Sequence, residues 1–417
     1  MISMQFNSDL ASDLESFVRS IQKEHRLKTI HRHLQQFDRY CIDISHDSGV
    51  FDEKVVLGFC QRIKGEAFQE WKQRQSSLRQ FSYYLQLQGK YSFVPPTLST
   101  GKGKTPIEYH SCLNKWIESL IQSKQTAGFI YENEKKFLHQ FDEFLVCKGY
   151  KGDELTREMV DDYSCRPQTE SWKTKQLKVS VVRILGLYML KNGEKAYILE
   201  DLPTGSHSVP DIFGEKELTA FFQTVDSYPY CFHWCRYVYP VYFRLLYSTG
   251  MRESEACGIQ REDMDFENRR IFIRNAKGQK DRFVYISDFD ITMLQKYDHV
   301  MDGFFSCRKW LFLGASQMHQ ALTPACVRNM FQNCWKRTEA SGSPTVNSFR
   351  HTYVVDKICK WQKEGRNVDS LIPYLSKQLG HKSIKETYYY CKRLDTRFPE
   401  IMTSDSLVDK INLGAYL

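Results

Sequence analysis

QLGHKSIKETYYY, residues 378–390, is the stretch whose reading decides the fold. His381 follows Gly380, where its plainer reading is a helix cap. Nine residues after His381 comes Tyr390, the last of three consecutive tyrosines. Three further stretches precede it. VNSFRHTY, residues 346–353, carries Arg350 and His351. NAKGQKDR, residues 275–282, carries Lys277. STGMRESEACGI, residues 248–259, carries Arg252 where a Gly-containing turn starts a helix.

Around these stretches the patterning is mostly helical. FGEKELTAFFQTV, from Phe213, opens as an amphipathic helix, and YPVYFRLLYST continues as a buried one ending near Gly250. Two apolar runs, Ile271–Ile273 and Phe283–Ile286, flank a polar tip holding Gly278, which predicts a β-hairpin. From Pro324 onward the pattern is helical. The expected fold is therefore mainly α with a small β-sheet.

Farther out, two stretches rich in Gly, Pro, Ser and Thr read as linkers, Pro95–Pro106 and Leu202–Asp211. They predict three domains: a helical one over 1–95, a second over 107–203, and a third over 211–417 ending in a tail. A cut in the first linker is expected to leave the remainder folded. The first two segments look alike. Gln-Phe-Asp occurs at 36–38 and again at 140–142, and Gly89 and Gly193 share the same 104-residue offset. Trp71 and Trp172 are 101 apart. The pattern predicts a duplicated small helical domain.

Composition sets the class. Of 417 residues 41% are hydrophobic, enough for real cores, and the net charge of +8 suits a polyanionic partner. The thirteen cysteines form no CxxC pair. Cys231 and Cys235, with His233 between them, lack a second ligand pair nearby and read as helix thiols before a zinc site. The irregular odd count points to a reducing compartment. No run approaches the length of a membrane span, and the first residues lack a secretory pattern, so a cytoplasmic protein is expected.

Strand transfer at a phosphodiester without a metal needs a nucleophile that forms a temporary ester. It needs cations on the two non-bridging oxygens, a proton donor for the departing sugar oxygen, and an acceptor for the nucleophile's proton. Arginine suits the oxygens because its planar fork binds them bidentately and keeps its charge. Arg252, Lys277, Arg350, His381 and Tyr390 supply these groups in chain order. Lys280 competes with Lys277 for the lysine role, and Tyr388 and Tyr389 read as packing residues.

At these residues the chain resembles the tyrosine recombinase (phage integrase) family. GMRESE matches the first arginine box, with Glu255 at its supporting acidic position. KGQKDRFVYI matches the lysine hairpin, SFRHT the second arginine box, and LGHKSIKETYYY the ending with its nine-residue spacing. The resemblance covers about residues 210–400. It implies that Arg252 and Arg350 hold the scissile phosphate, Lys277 protonates the leaving 5′ oxygen, and His381 assists by hydrogen bonding or proton transfer. It implies that Tyr390 attacks to form a 3′-phosphotyrosine, with no metal and no cofactor. His351 is a supporting residue. Where the family usually has histidine, three residues before the second arginine, this chain has Asn347, which cannot accept a proton at neutral pH; the general base is thereby left open.

The same resemblance makes residues 107–203 a core-binding domain that clamps double-stranded DNA, with residues 1–95 an extra copy. It implies a tetramer on specific DNA sites, compatible with an accessory DNA-bending factor, and a bacterial, phage or mobile-element origin. Leu407, Ile411, Leu413 and Leu417 in the tail are compatible with docking on a neighbouring subunit or on the chain's own domain. Two other readings share these residues: a type IB topoisomerase, which relaxes any supercoiled DNA, and a DNA-binding protein whose catalysis is impaired.

Overall fold

Apolar residues at three- and four-residue spacing give each of the first two segments four helices that bury one face. The computed structural model describes residues 6–22, 24–96, 107–165, 171–199, 211–274, 281–314, 320–381 and 383–388. In the first segment these are α1 (Ala11–Arg19), α2 (Glu24–Asp43), α3 (Glu53–Cys60) and α4 (Phe68–Leu87). In the second they are α5 (Asn114–Thr126), α6 (Glu132–Lys148), α7 (Arg157–Ser164) and α8 (Trp172–Lys191).

The two sets share more than helix count. α3 and α7, and α4 and α8, have identical lengths and the same 104-residue displacement. Asp38 accepts the backbone N–H groups of Asn7 and Ser8, each at 3.0 Å; Asp142 accepts those of His110 and Ser111, at 2.8 and 2.9 Å. The repeated Gln-Phe-Asp thus has a physical role. Its phenylalanine enters the core, and its buried aspartate pins the chain entering the first helix. Phe93 N–H donates to Phe51 O at 2.8 Å, and Tyr197 N–H donates to Leu155 O at 2.7 Å, again 104 apart. The tryptophans do not correspond. Trp172 opens α8, whereas Trp71 sits a turn into α4 and donates its indole N–H to Cys60 O.

The chain divides into two compact units and not the three that its linkers suggest: residues 1–97 group with 210–417, and residues 98–209 form the other. The second unit has its own core, built on Leu113, Ile117, Leu138, Phe141 and Leu185. The first segment instead shares one continuous core with the third. Gln22 N–H donates to Cys231 O, and His233 N–H donates to Ser20 O. Phe232 and Trp234 stack with ring centroids 4.5 Å apart, and Phe305 meets Trp234 edge-on at 5.0 Å and Tyr84 at 6.2 Å. Linker composition marks where a chain leaves an element. It carries no information on which surfaces then pair, so a cut in the first linker would expose these rings.

The third segment contributes α9 (Glu215–Ser227), α10 (Cys235–Thr249), α11 (Glu253–Cys257), α12 (Asp288–Phe304), α13 (Pro324–Trp335), α14 (Asn347–Lys363) and α15 (Val368–Leu379). Three short antiparallel strands, β1 (Met264–Asp265), β2 (Arg270–Ile273) and β3 (Arg282–Tyr285), form one sheet in sequence order. In the expected hairpin Ile273 faces Arg282 and Arg270 faces Tyr285; its tip, residues 275–280, lies outside the described residues. Cys235 is buried in α10, and burial pushes its thiol up to about 12. Among the described residues, no helix is long and apolar enough to cross a membrane.

Candidate active site

α10 ends at Gly250, whose φ of +65° is left-handed, and an added Cβ would collide with the Tyr353 ring. That turn sets Arg252 at the N-cap of α11. There Glu255 closes a capping box by accepting the Arg252 backbone N–H at 2.9 Å. The same carboxylate accepts Arg252 Nη1 at 2.8 Å. A second arginine, Arg282 at the start of β3, grips Glu255 through both Nη atoms, each at 2.8 Å. Burial acts to raise the Glu255 pKa. The hydrogen bonds and charge of Arg282, then the bonds from Arg252, overcome it and hold the carboxyl down to about 2.

Arg350 lies in the first turn of α14, buried at 5% exposure. Phe349 beside it enters the main core, and Tyr353 one turn on enters a smaller core between α14 and α15. The guanidinium donates to Gly250 O at 2.9 Å and to Leu379 O at 2.8 Å. α15 ends at Gly380 in the left-handed conformation, φ +65°. The last carbonyls of a helix lack intrahelical donors and carry its negative end. Here three consecutive ones each receive a guanidinium: Gln378 O from Arg282 Nε at 3.1 Å, Leu379 O from Arg350, and Gly380 O from Arg252 Nη2 at 3.1 Å.

His381 follows at once, its Nδ1 2.7 Å from the hydroxyl of fully buried Thr387. Burial first, and then the charges of Arg350, Arg252 and Arg282, lower its pKa to about 3, so the imidazole is neutral at pH 7. His351 is lowered to about 4 by burial and then by Arg350. Its Nε2 lies 2.9 Å from Nδ2 of the exposed Asn347, one helical turn earlier. That amide is engaged with a side chain on its own helix face, as spacing of four requires.

The structure thus brings together Arg252, Glu255, Arg350 and His381, with Asn347 and His351 beside Arg350. Tyr390, Tyr389, Lys277 and Lys280 lie outside the described residues. Tyr388 is half-buried against the core between α14 and α15. Reading the sequence missed Arg282. The signal was strand alternation. Arg282 shares a face with fully buried Val284, and an arginine on the inward side of a strand requires a buried acid.

Residues 214–397 match the phage integrase family. The chain is 25% identical over 294 residues to the tyrosine recombinase XerC of Bacillus licheniformis, covering 67% of this chain and 90% of that protein. It is 28% identical over 148 residues to the integrase/recombinase-like protein y4rE of Sinorhizobium fredii, a match that spans 35% of this chain and about half (48%) of that relative. Among solved structures, the XerH recombinase bound to palindromic difH DNA is similar with a TM-score of 0.52 and 19% identity, over 77% of this chain and 94% of that one. The Tn1549 transposon integrase in complex with transposon right end DNA is similar at 0.51 and 16%, over 66% and 94%. At these identities the structural likeness is one of fold. The family match takes in every box gathered around the α15 carbonyls, so residues 214–397 carry a domain similar to that of the phage integrase, or tyrosine recombinase, family.

Proposed function

We propose that this protein cuts and rejoins double-stranded DNA at specific sites through a 3′-phosphotyrosine on Tyr390. The observation that carries the reading is the convergence of Arg252, Arg350 and His381, from three distant stretches, on the end of α15. The two guanidiniums rest on backbone carbonyls. A scissile phosphate offers them charged oxygens, which form the stronger bond. The Tyr390 oxygen attacks phosphorus, the bond to the 5′ oxygen breaks, and that oxygen takes a proton from Lys277. The phenol proton leaves to an acceptor near Asn347 and His351. Attack by a different 5′ hydroxyl reverses the step and joins new partners. The ester conserves the bond energy, so no nucleotide is hydrolysed.

In this reading residues 107–203 bind the DNA together with the catalytic domain, and four subunits assemble on two sites in the cytoplasm of a cell carrying a mobile element. The +8 net charge favours the polyanion. The test is capture from a library of nicked duplexes of randomised sequence. Protein-linked DNA recovered under denaturing conditions, enriched for one sequence and then joined into recombinant products, supports site-specific exchange. Relaxation of any supercoiled plasmid without enrichment would favour a topoisomerase. Retention without a covalent bond would leave a DNA-binding protein.

A further inference from the structure

We infer that Arg282 is a positioning residue for strand transfer: acting through Glu255, it fixes the direction of the Arg252 guanidinium and braces the carbonyl ledge on which Arg252 and Arg350 rest. The inference rests on the function proposed above.

Four observations meet at this side chain. Arg282 holds both oxygens of Glu255, and Glu255 in turn holds both the backbone and the guanidinium of Arg252. A carboxylate accepting from Arg282 on both oxygens has its plane fixed, so the oxygen that Arg252 Nη1 uses is fixed too. The Arg282 Nε reaches Gln378 O, tying the hairpin to the end of α15. Gln378 completes the tie: its side chain accepts Tyr285 N–H at 3.0 Å and donates to Tyr285 O at 2.9 Å, pairing with β3 as another strand would. Finally, Gly380 leaves room for Arg282. A Cβ there would stand 2.8 Å from Arg282 Cζ and 2.9 Å from Nε and Nη1. The glycine before His381 is therefore required by its backbone angle and by Arg282 itself.

A buried ion pair that served folding alone would not act through Arg252. The test uses full-length Arg282→Gln and Arg282→Lys. The lysine variant keeps the charge and loses the fork. On a nicked duplex enriched by covalent capture, at saturating protein, both should cleave roughly 10–100-fold slower, the range typical when a residue that orients a metal-site ligand is removed. DNA binding should be unchanged. In an Arg252→Lys background the Arg282→Gln loss should largely vanish, because the brace then has nothing to aim. Cleavage by Arg282→Gln should also fall as pH drops through the carboxylate range, where the wild type holds Glu255 ionised.

A second readout needs no DNA: the Arg252 backbone amide, held by Glu255, should exchange roughly tenfold faster or more in Arg282→Gln, while amides within α10 keep their protection. Wild-type cleavage rates in both variants would overturn the proposal. So would a loss that multiplies undiminished with that of Arg252→Lys, or unchanged exchange at Arg252. Failure of both variants to fold would assign Arg282 to the fold and overturn it as well. If the wild type itself forms no covalent adduct, the functional reading fails, and the exchange measurement still decides on Arg282.

Discussion

Replacing Gly380 by alanine should damage the site by two routes that can be separated. The first is backbone strain. The residue sits at φ +65°, where an L side chain costs about 1–2 kcal/mol. The second is the clash with Arg282. Carbon contacts are comfortable at roughly 3.5–4.0 Å, so a Cβ placed 2.8 Å from Arg282 Cζ must push the guanidinium back by about 1 Å. Bonds of 2.8 Å to Glu255 then stretch past hydrogen-bonding range. Bonds to charged groups contribute about 1.5–3 kcal/mol each, and partial relaxation will recover some of this. A total loss of about 2–4 kcal/mol, seen as a Tm several degrees lower, is expected. Arg252 loses its brace, so single-turnover covalent capture should slow by roughly 10²-fold. Asparagine separates the routes because it tolerates the left-handed region better than alanine. If backbone strain dominates, Gly380→Asn recovers most of the loss. If the clash dominates, it is as slow as Gly380→Ala. A Gly380→Ala protein with wild-type Tm and a capture rate within about threefold of wild type would refute the reasoning, because the geometry leaves no space for that methyl group.

Other outcomes follow from the same geometry. Deleting residues 1–96 should give an insoluble or loosely packed protein, because Phe232, Trp234 and Phe305 would lose their cover; a soluble product with a sharp unfolding transition would contradict the shared core. Asn347→Ala should lower cleavage per folded molecule and Asn347→His should retain or raise it, with Tm little changed in both, since Asn347 is exposed and its amide engages half-buried His351 and not the core; an unaltered rate in the alanine variant removes this residue from the site. The chain should lose stability in mild acid through its site histidines. Unfolded histidine binds a proton near pH 6.5, whereas folded His381 and His351 resist it down to about 3 and about 4. Their contribution is therefore fully present above about pH 6.5 and lost as pH falls towards those values, about 2 kcal/mol for each by roughly pH 5. Denaturant midpoints recorded across this range should slope less in His381→Gln; an equal slope would contradict the burial of a neutral imidazole.

The stretches that hold Arg252, Arg350 and His381 were legible because each is short and contiguous, and their order along the chain is itself information. The hairpin was legible from alternation, and the likeness of the first two segments from one tripeptide whose aspartate pins a chain entry in each. Two things were hidden. The partners of Arg282 lie 27 residues away at Glu255 and 96 away at Gln378, and no local pattern links them. The docking of the first segment was hidden for another reason. Tyr84, Phe232 and Phe305 are ordinary core residues for their own elements, and sequence does not say that they share one core. The tryptophan spacing misled because large aromatic residues catch the eye whether or not they occupy equivalent positions.

The central claim is that Tyr390 carries the DNA. Wild-type protein captured covalently on a nicked duplex should be digested and the DNA-bearing peptide sequenced by mass spectrometry. The account predicts a 3′-phosphate ester on the last tyrosine of the 388–390 run, absent in Tyr390→Phe although that variant still binds the duplex. An adduct on Tyr388 or Tyr389, or undiminished capture by Tyr390→Phe, would contradict it.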